Sequence, residues 1–168
     1  RFQHTPSGQL RLRTDAHGRR IELSYDNYGR LLALTNENGE SYRFAWDAGD
    51  RLSAQHSLDG SLKRYAYDPL DNVTRVEAIA VPGSTDLDLA PQAPIVHELE
   101  RDAMGRLVAK VTADGRTEYR YDDLDQVNAI TFAGLTGEQQ SIGFGYDALG
   151  QLIAEQGWAG SLEHRYDE

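Results

Sequence analysis

The chain has 168 residues, 39% of them hydrophobic, a length and composition expected to give one domain with a real core. Its 27 acidic residues against 17 basic ones leave a net charge of −10, which argues against a nucleic-acid or anionic-lipid partner held by a basic footprint. It contains no cysteine, which excludes disulfides, thiolate zinc sites and thiol catalysis, and it has neither an apolar run near the ~20 residues of a membrane span nor a signal-peptide pattern.

In chain order, a degenerate His4-Thr5 pair is followed by aromatic-Asp pairs at Tyr25-Asp26, Trp46-Asp47, Tyr67-Asp68, Tyr121-Asp122, Tyr146-Asp147 and Tyr166-Asp167, with a weaker copy at Arg101-Asp102. Counted from the Asp position, the spacings are 21, 21, 21, 34, 20, 25 and 20 residues, so the chain is an internal repeat. Three residues after the Asp position stands Gly8, Gly29, Asp50, Asp71, Gly105, Asp125 or Gly150. Five after it stands an apolar residue every time: Leu10, Leu31, Leu52, Val73, Leu107, Val127 or Leu152. Thirteen after it comes Gly18, Gly39, Gly60, Gly115 or Gly160 in five copies.

Asp first and Gly fourth is the preference of a type I turn, in which the carboxylate accepts local backbone N–H groups. Asn38-Gly39, Asp59-Gly60 and Asp114-Gly115 predict two-residue type I′ hairpin turns. The segments between turns, such as RLLALTNE and ESYRFAW, have strand length. Each repeat is therefore predicted to be one β-hairpin, starting near residues 4, 25, 46, 67, 101, 121 and 146, so that residues 1–168 form one repeat region. About fourteen strands at ~4.8 Å each would give a strip roughly 65 Å across, expected to curve or spiral.

Period-two alternation places Tyr25 with Leu23, Trp46 with Phe44, Tyr67 with Tyr65, Tyr121 with Tyr119 and Tyr146 with Phe144 on one face. In the strand after each turn the small residues Ala33, Ala54, Ala109, Ala129 and Ala154 are expected to make room for those aromatics. Two insert loops are predicted, at about 79–96, where Pro82, Pro91 and Pro94 cannot donate to a ladder, and at about 133–141.

The Y-D-x-x-G-R-L unit resembles the Rhs or YD repeat family, which includes bacterial Rhs polymorphic toxins, the C component of insecticidal toxin complexes and the teneurins. The residues that carry the resemblance are Tyr25, Asp26, Gly29, Arg30 and Leu31; Asp102, Gly105, Arg106 and Leu107; and Tyr146, Asp147, Gly150 and Leu152, with Gln151 in place of Arg. It implies a segment of a hollow β-hairpin shell that encloses a variable C-terminal toxin for export, commonly by type VI secretion, from a bacterial cell. The implied partners are the remaining Rhs repeats and the enclosed toxin, and the implied location is secreted or cell-surface. The family's autoproteolytic context, Asp-Pro-x-Gly-Leu, is approached only by Asp68-Pro69-Leu70-Asp71-Asn72, which lacks its Gly and Leu, so no catalytic residue is expected.

Turn capping explains the repeated Asp without a metal, no calcium-binding nonapeptide occurs, and no P-loop, dinucleotide fingerprint or HExxH motif is present. No cofactor or metal is therefore expected. The sequence reads as a piece of a longer protein, and its exposed sheet edges predict self-association of the excised fragment. The competing reading is a carbohydrate-binding or adhesion module using exposed aromatics, with Trp46 and Trp158 as reporters.

Overall fold

The structure, a computed structural model, describes residues 1–80 and 93–166. Every regular element among them is a β-strand. The chain divides into two units, Arg1–Ile95 and Val96–Glu168, and within each unit every strand pairs antiparallel with its neighbour in sequence. The first carries β1 (Phe2–His4), β2 (Leu10–Thr14), β3 (Arg20–Tyr25), β4 (Leu31–Thr35), β5 (Ser41–Trp46), β6 (Leu52–His56), β7 (Leu62–Tyr67) and β8 (Val73–Ile79). The second carries β9 (Ile95–Arg101), whose first residue is the boundary residue of the first unit, then β10 (Leu107–Thr112), β11 (Gly115–Tyr121), β12 (Val127–Gly134), β13 (Gln139–Tyr146), β14 (Leu152–Gly157) and β15 (Gly160–Glu163). The fold is thus tandem antiparallel hairpins, as the repeat implies.

The expected core is replaced by a single layer. Among the described residues only Ala109 is a fully buried apolar side chain. A lone sheet has no second layer to close over its apolar face, so that face is half-buried at best.

One row of turns comprises residues 5–9, 26–30, 47–51 and 68–72 in the first unit and 102–106, 122–126 and 147–151 in the second. In each, the fourth residue's N–H donates to the first residue's carbonyl, and the first residue's N–H donates to the fifth residue's carbonyl, as in Gly29 to Asp26 (3.1 Å) and Asp26 to Arg30 (3.0 Å). This is a type I turn followed by a left-handed residue. The opposite row in the first unit, at 15–19, 36–40 and 57–61, uses the same turn, which corrects the expectation of type I′ geometry. Gly39 and Gly60 have φ of 82° and 80°, while Asp50, Asp71 and Asp125 are the only non-glycine residues with positive φ among those described, so Asn38 and Asp59 keep negative φ. The reason is local: Asn36 Oδ1 accepts from the N–H groups of Asn38 and Glu40 as Asp does elsewhere, and in the turn at 57–61 the backbone pair of Ser57 with Ser61 is joined by a bond from Ser61 N–H to Asp59. At Asp114-Gly115 the loop is Ala113-Asp114, and Gly115 begins β11 opposite Thr112.

Beside every turn of the first row a β-bulge adds one residue, at Gln3/His4 and Leu107/Ala109 as well as at the five sites that follow. Ser24 pairs with Ala33 but Tyr25 pairs with Leu31, leaving Leu32 extra, and the same slip recurs at Ala45/Trp46, Ala66/Tyr67, Arg120/Tyr121 and Gly145/Tyr146. One extra residue exchanges the faces. The alanines therefore lie on the face opposite the aromatics, which corrects the expected large-against-small fit: Ala33 faces Ser24 and Arg43, and Ala109 faces Glu100 and Glu118. Their smallness leaves room for long charged neighbours.

The predicted insert at 133–141 is also corrected. Its ends are strand, β12 and β13 having eight residues each, joined by a five-residue turn in which Gly137 N–H donates to the Gly134 carbonyl at 3.2 Å. The extra length has become ladder. Of the insert at 79–96, residues 81–92 lie outside the described residues, as does Asp167.

Candidate functional site

The chemistry-bearing residues converge on the first row of turns. Each turn-opening aspartate accepts two backbone N–H groups of its own turn on Oδ1, and in Asp26, Asp47, Asp68 and Asp102 a fifth-position side chain also occupies Oδ2. Asp26 Oδ1 accepts from the N–H groups of Tyr28 and Arg30, both at 2.9 Å, and Oδ2 accepts from Arg30 Nε at 2.6 Å. Asp47 and Asp102 repeat this with Arg51 and Arg106. The Arg106 side-chain hydrogen bond, partly opposed by desolvation, holds Asp102 below the ordinary carboxylate range. For Asp47 the leading cause is the N–H of Arg51. Desolvation pushes Asp26 up, but the backbone and side-chain donors of Arg30 outweigh it. Such carboxylates are poor bases and poor metal ligands.

The same arginines reach the next repeat. Arg30 Nη1 lies 2.6 Å from Asp50 Oδ1 and 3.3 Å from the Asp47 carbonyl; Arg51 Nη1 lies 2.7 Å from Asp71 Oδ1 and 3.2 Å from the Asp68 carbonyl; Arg106 pairs with Asp125. Their guanidinium groups stack over the next repeat's aromatic, Trp46 at 6.0 Å, Tyr67 at 4.7 Å and Tyr121 at 4.7 Å.

The aromatics close the rung. Tyr25, Tyr67, Tyr121, Tyr146 and Tyr166 donate their hydroxyls to the carbonyls of Leu10, Leu52, Leu107, Val127 and Leu152 at 2.7–2.9 Å, and Trp46 Nε1 donates to Leu31 at 2.9 Å. The reason is visible in the ladder: β2 and β3 pair from Leu12 with Glu22 outward but not nearer the turn, and the Tyr25 hydroxyl takes the Leu10 carbonyl where the strands part. Burial pushes the Tyr67 hydroxyl up, which keeps it a neutral donor.

Of the repeat residues marked in the sequence, those of the first row meet as turn caps and inter-repeat rungs; Gly39 and Gly60 lie in the opposite row, Gly115 opens β11 after a two-residue loop, and Asp167 is outside the described residues. Two roles escape sequence reasoning. Arg51 goes unmarked because Asp50 stands where the motif has Gly. The tip hydrogen bond has a readable signal, since outside the Arg101-Asp102 copy the position before Asp carries Tyr or Trp while Phe44 and Phe144 appear only two residues earlier. On the opposite face Arg116 binds Glu100 through two bonds of 2.6 and 2.8 Å and Glu118 at 3.0 Å, and these glutamates flank Ala109. The Glu100 contact is the chief cause that raises the Arg116 guanidinium further.

No cluster of three or more metal-ligating side chains occurs among the described residues. The second unit has an open hollow of about 420 Å³, lined by Ile130, Phe132, Ile142, Glu155, Trp158 and Leu162 among others.

The RHS Repeat family model matches residues 4–40, 28–62 and 101–136, together more than half of the chain. A search of curated proteins found no match. Among solved structures, a chain of the Photorhabdus luminescens Tc holotoxin pore is similar over 93% of this chain and 9% of its own length, at 17% identity and a TM-score of 0.71. TcdB2-TccC3 without its hypervariable C-terminal region is similar to the same extent, with the same identity and TM-score. At this identity the likeness is one of fold, and the chain spans about a tenth of the structures it resembles.

Proposed function

The chain belongs to the RHS repeat family, and from that membership we propose that it is a non-catalytic segment of a β-hairpin shell that encloses a C-terminal toxin during export. The observation that carries the reading is the single layer: rungs join repeat to repeat while almost nothing is buried through the sheet's thickness. An enzyme domain needs a packed scaffold to hold a site rigid, whereas a wall needs strength only in its own plane. The turn carboxylates of Asp26, Asp47, Asp68 and Asp102 support the same reading, because both oxygens of each are engaged within its own turn. The proposed partners are the flanking repeats and the enclosed polypeptide. The proposed setting is a bacterial effector exported by type VI secretion or a related route.

Protease challenge of the intact protein tests this. The polypeptide downstream of the repeats should survive in the intact protein and be digested when expressed alone. Equal digestion in both contexts would remove the enclosure claim.

A glycan-binding reading has one specific support: Trp158 is 76% exposed beside the apolar hollow. It requires glycans to perturb Trp158 emission, with Trp46, tied by its indole N–H, unaffected. An unchanged spectrum across a glycan panel rejects it.

A further inference from the structure

Three aspartates occupy left-handed backbone at the fourth turn position, Asp50 (φ 61°), Asp71 (φ 65°) and Asp125 (φ 64°), where the other turns of the row have glycine. Turn chemistry alone does not favour this, since glycine adopts the same conformation without steric cost. What separates these turns from the rest is the preceding repeat. Each of the three aspartates receives an arginine from the fifth position of the turn before it: Arg30 to Asp50, Arg51 to Asp71 and Arg106 to Asp125.

Where the preceding turn ends in glutamine, the next turn has glycine. Gln9 Nε2 donates to the Gly29 carbonyl at 2.7 Å, and Gln126 Nε2 donates to the Gly150 carbonyl at 3.3 Å. In both cases the amide also fills the space a side chain would need. A Cβ at Gly29 would stand 3.1 Å from Gln9 Nε2, and one at Gly150 would stand 2.9 Å from Gln126 Nε2. By contrast a Cβ at Gly8, Gly18 or Gly39 would meet nothing within 4 Å. A side chain at residue 29 or 150 would therefore have to displace the neighbouring amide from the glycine carbonyl it binds.

We propose that the fifth residue of one turn and the fourth residue of the next form a matched pair, Arg with Asp and Gln with Gly, that selects which repeat packs against which. The Tyr-Asp landmarks are common to the copies and cannot distinguish them; this pair can. A slip of one repeat in the first unit would set Gln9 against Asp50 and strip that left-handed carboxylate of its cation. Mispairing among near-identical hairpins is the characteristic hazard of such a chain, and a polar key at each junction opposes it. The inference rests on the two units' internal geometry and stands apart from what the wall encloses.

Hydrogen–deuterium exchange of the intact protein reads the key locally. Gly29→Asp alone places a left-handed carboxylate against Gln9 and is expected to lower protection of the Asp26–Arg30 amides about tenfold. Adding Gln9→Arg is expected to restore it to within about threefold of the starting protein. A second pair runs in the opposite direction, so that simple disruption of a turn does not mimic the result. Asp71→Gly relaxes the backbone yet removes the carboxylate that Arg51 Nη1 binds in the next turn, and is expected to lower protection of the Asp68–Asn72 amides about threefold, with recovery on adding Arg51→Gln. Double variants whose losses merely combine the single ones overturn the proposal, as does full tolerance of Asp at residue 29 beside Gln9.

Discussion

In the first unit the two rows of turns are built from nearly the same five-residue turn, yet among the described residues only the first row carries side-chain bonds from one turn to the next. In the first row Arg30, Arg51 and Arg106 each reach the following turn. In the opposite row Arg19 binds its own Asp15 at 2.6 Å with its side chain 61% exposed. The second unit displays the consequence of that difference. Its first-row turns keep five residues throughout, whereas its opposite row holds the two-residue loops Ala113-Asp114 and Trp158-Ala159 beside the turn at 134–138. The 25-residue spacing is absorbed by lengthening β12 and β13 away from the rungs. Variation is tolerated where no rung depends on it.

The sharpest way to break this contrast is to truncate an aromatic from each row. Trp46→Ala removes a tip hydrogen bond, the stacking of Arg30 and half-buried apolar area, and should cost about 2–3 kcal/mol in urea unfolding. Trp158→Ala should cost under about 0.5 kcal/mol. Next in size, Ala109→Leu forces a branched side chain beneath the Arg116 bridge and should cost about 1–3 kcal/mol. Tyr67→Phe leaves the Leu52 carbonyl without its donor for about 1 kcal/mol, while Tyr42→Phe, for which no tip bond is found, should be near neutral.

Acid gives a graded version of the same comparison. Asp15, Asp26, Asp47 and Asp102 are held below their ordinary value of 3.8, so the unfolded chain binds protons first as the pH falls. Their stabilisation is complete above that value and is lost as the pH drops below about 4 toward the folded-state values. The unfolding midpoint should fall over that window, and Arg51→Gln should flatten the fall because Asp47 then loses its side-chain donor. An acid profile indifferent to that substitution would detach the carboxylates from the rungs.

Particular residues explain why part of this architecture is legible in the sequence. Asp26, Gly29 and Leu31 state a turn and a strand through local chemistry, and local chemistry is what a sequence displays. The face of Ala33 is not legible, because a bulge at Leu32 shifts parity by one and nothing in LLALT marks the extra residue. The Asn-Gly dipeptide suggests a two-residue turn, but Asn36 two positions earlier captures the backbone N–H groups first. The absence of a core is hidden for a different reason: a periodic apolar face looks the same whether or not a second layer covers it.

The central claim, a one-layer wall with a polypeptide on one side, is tested most directly by site-specific photo-crosslinking in the intact protein. Probes at Gln55 and Lys63 sample the aromatic face, and probes at Ser24 and Arg43 sample the opposite one. A wall with its cargo on one side gives crosslinks to the downstream polypeptide from one face alone. Crosslinks from both faces alike, or from neither, would contradict it.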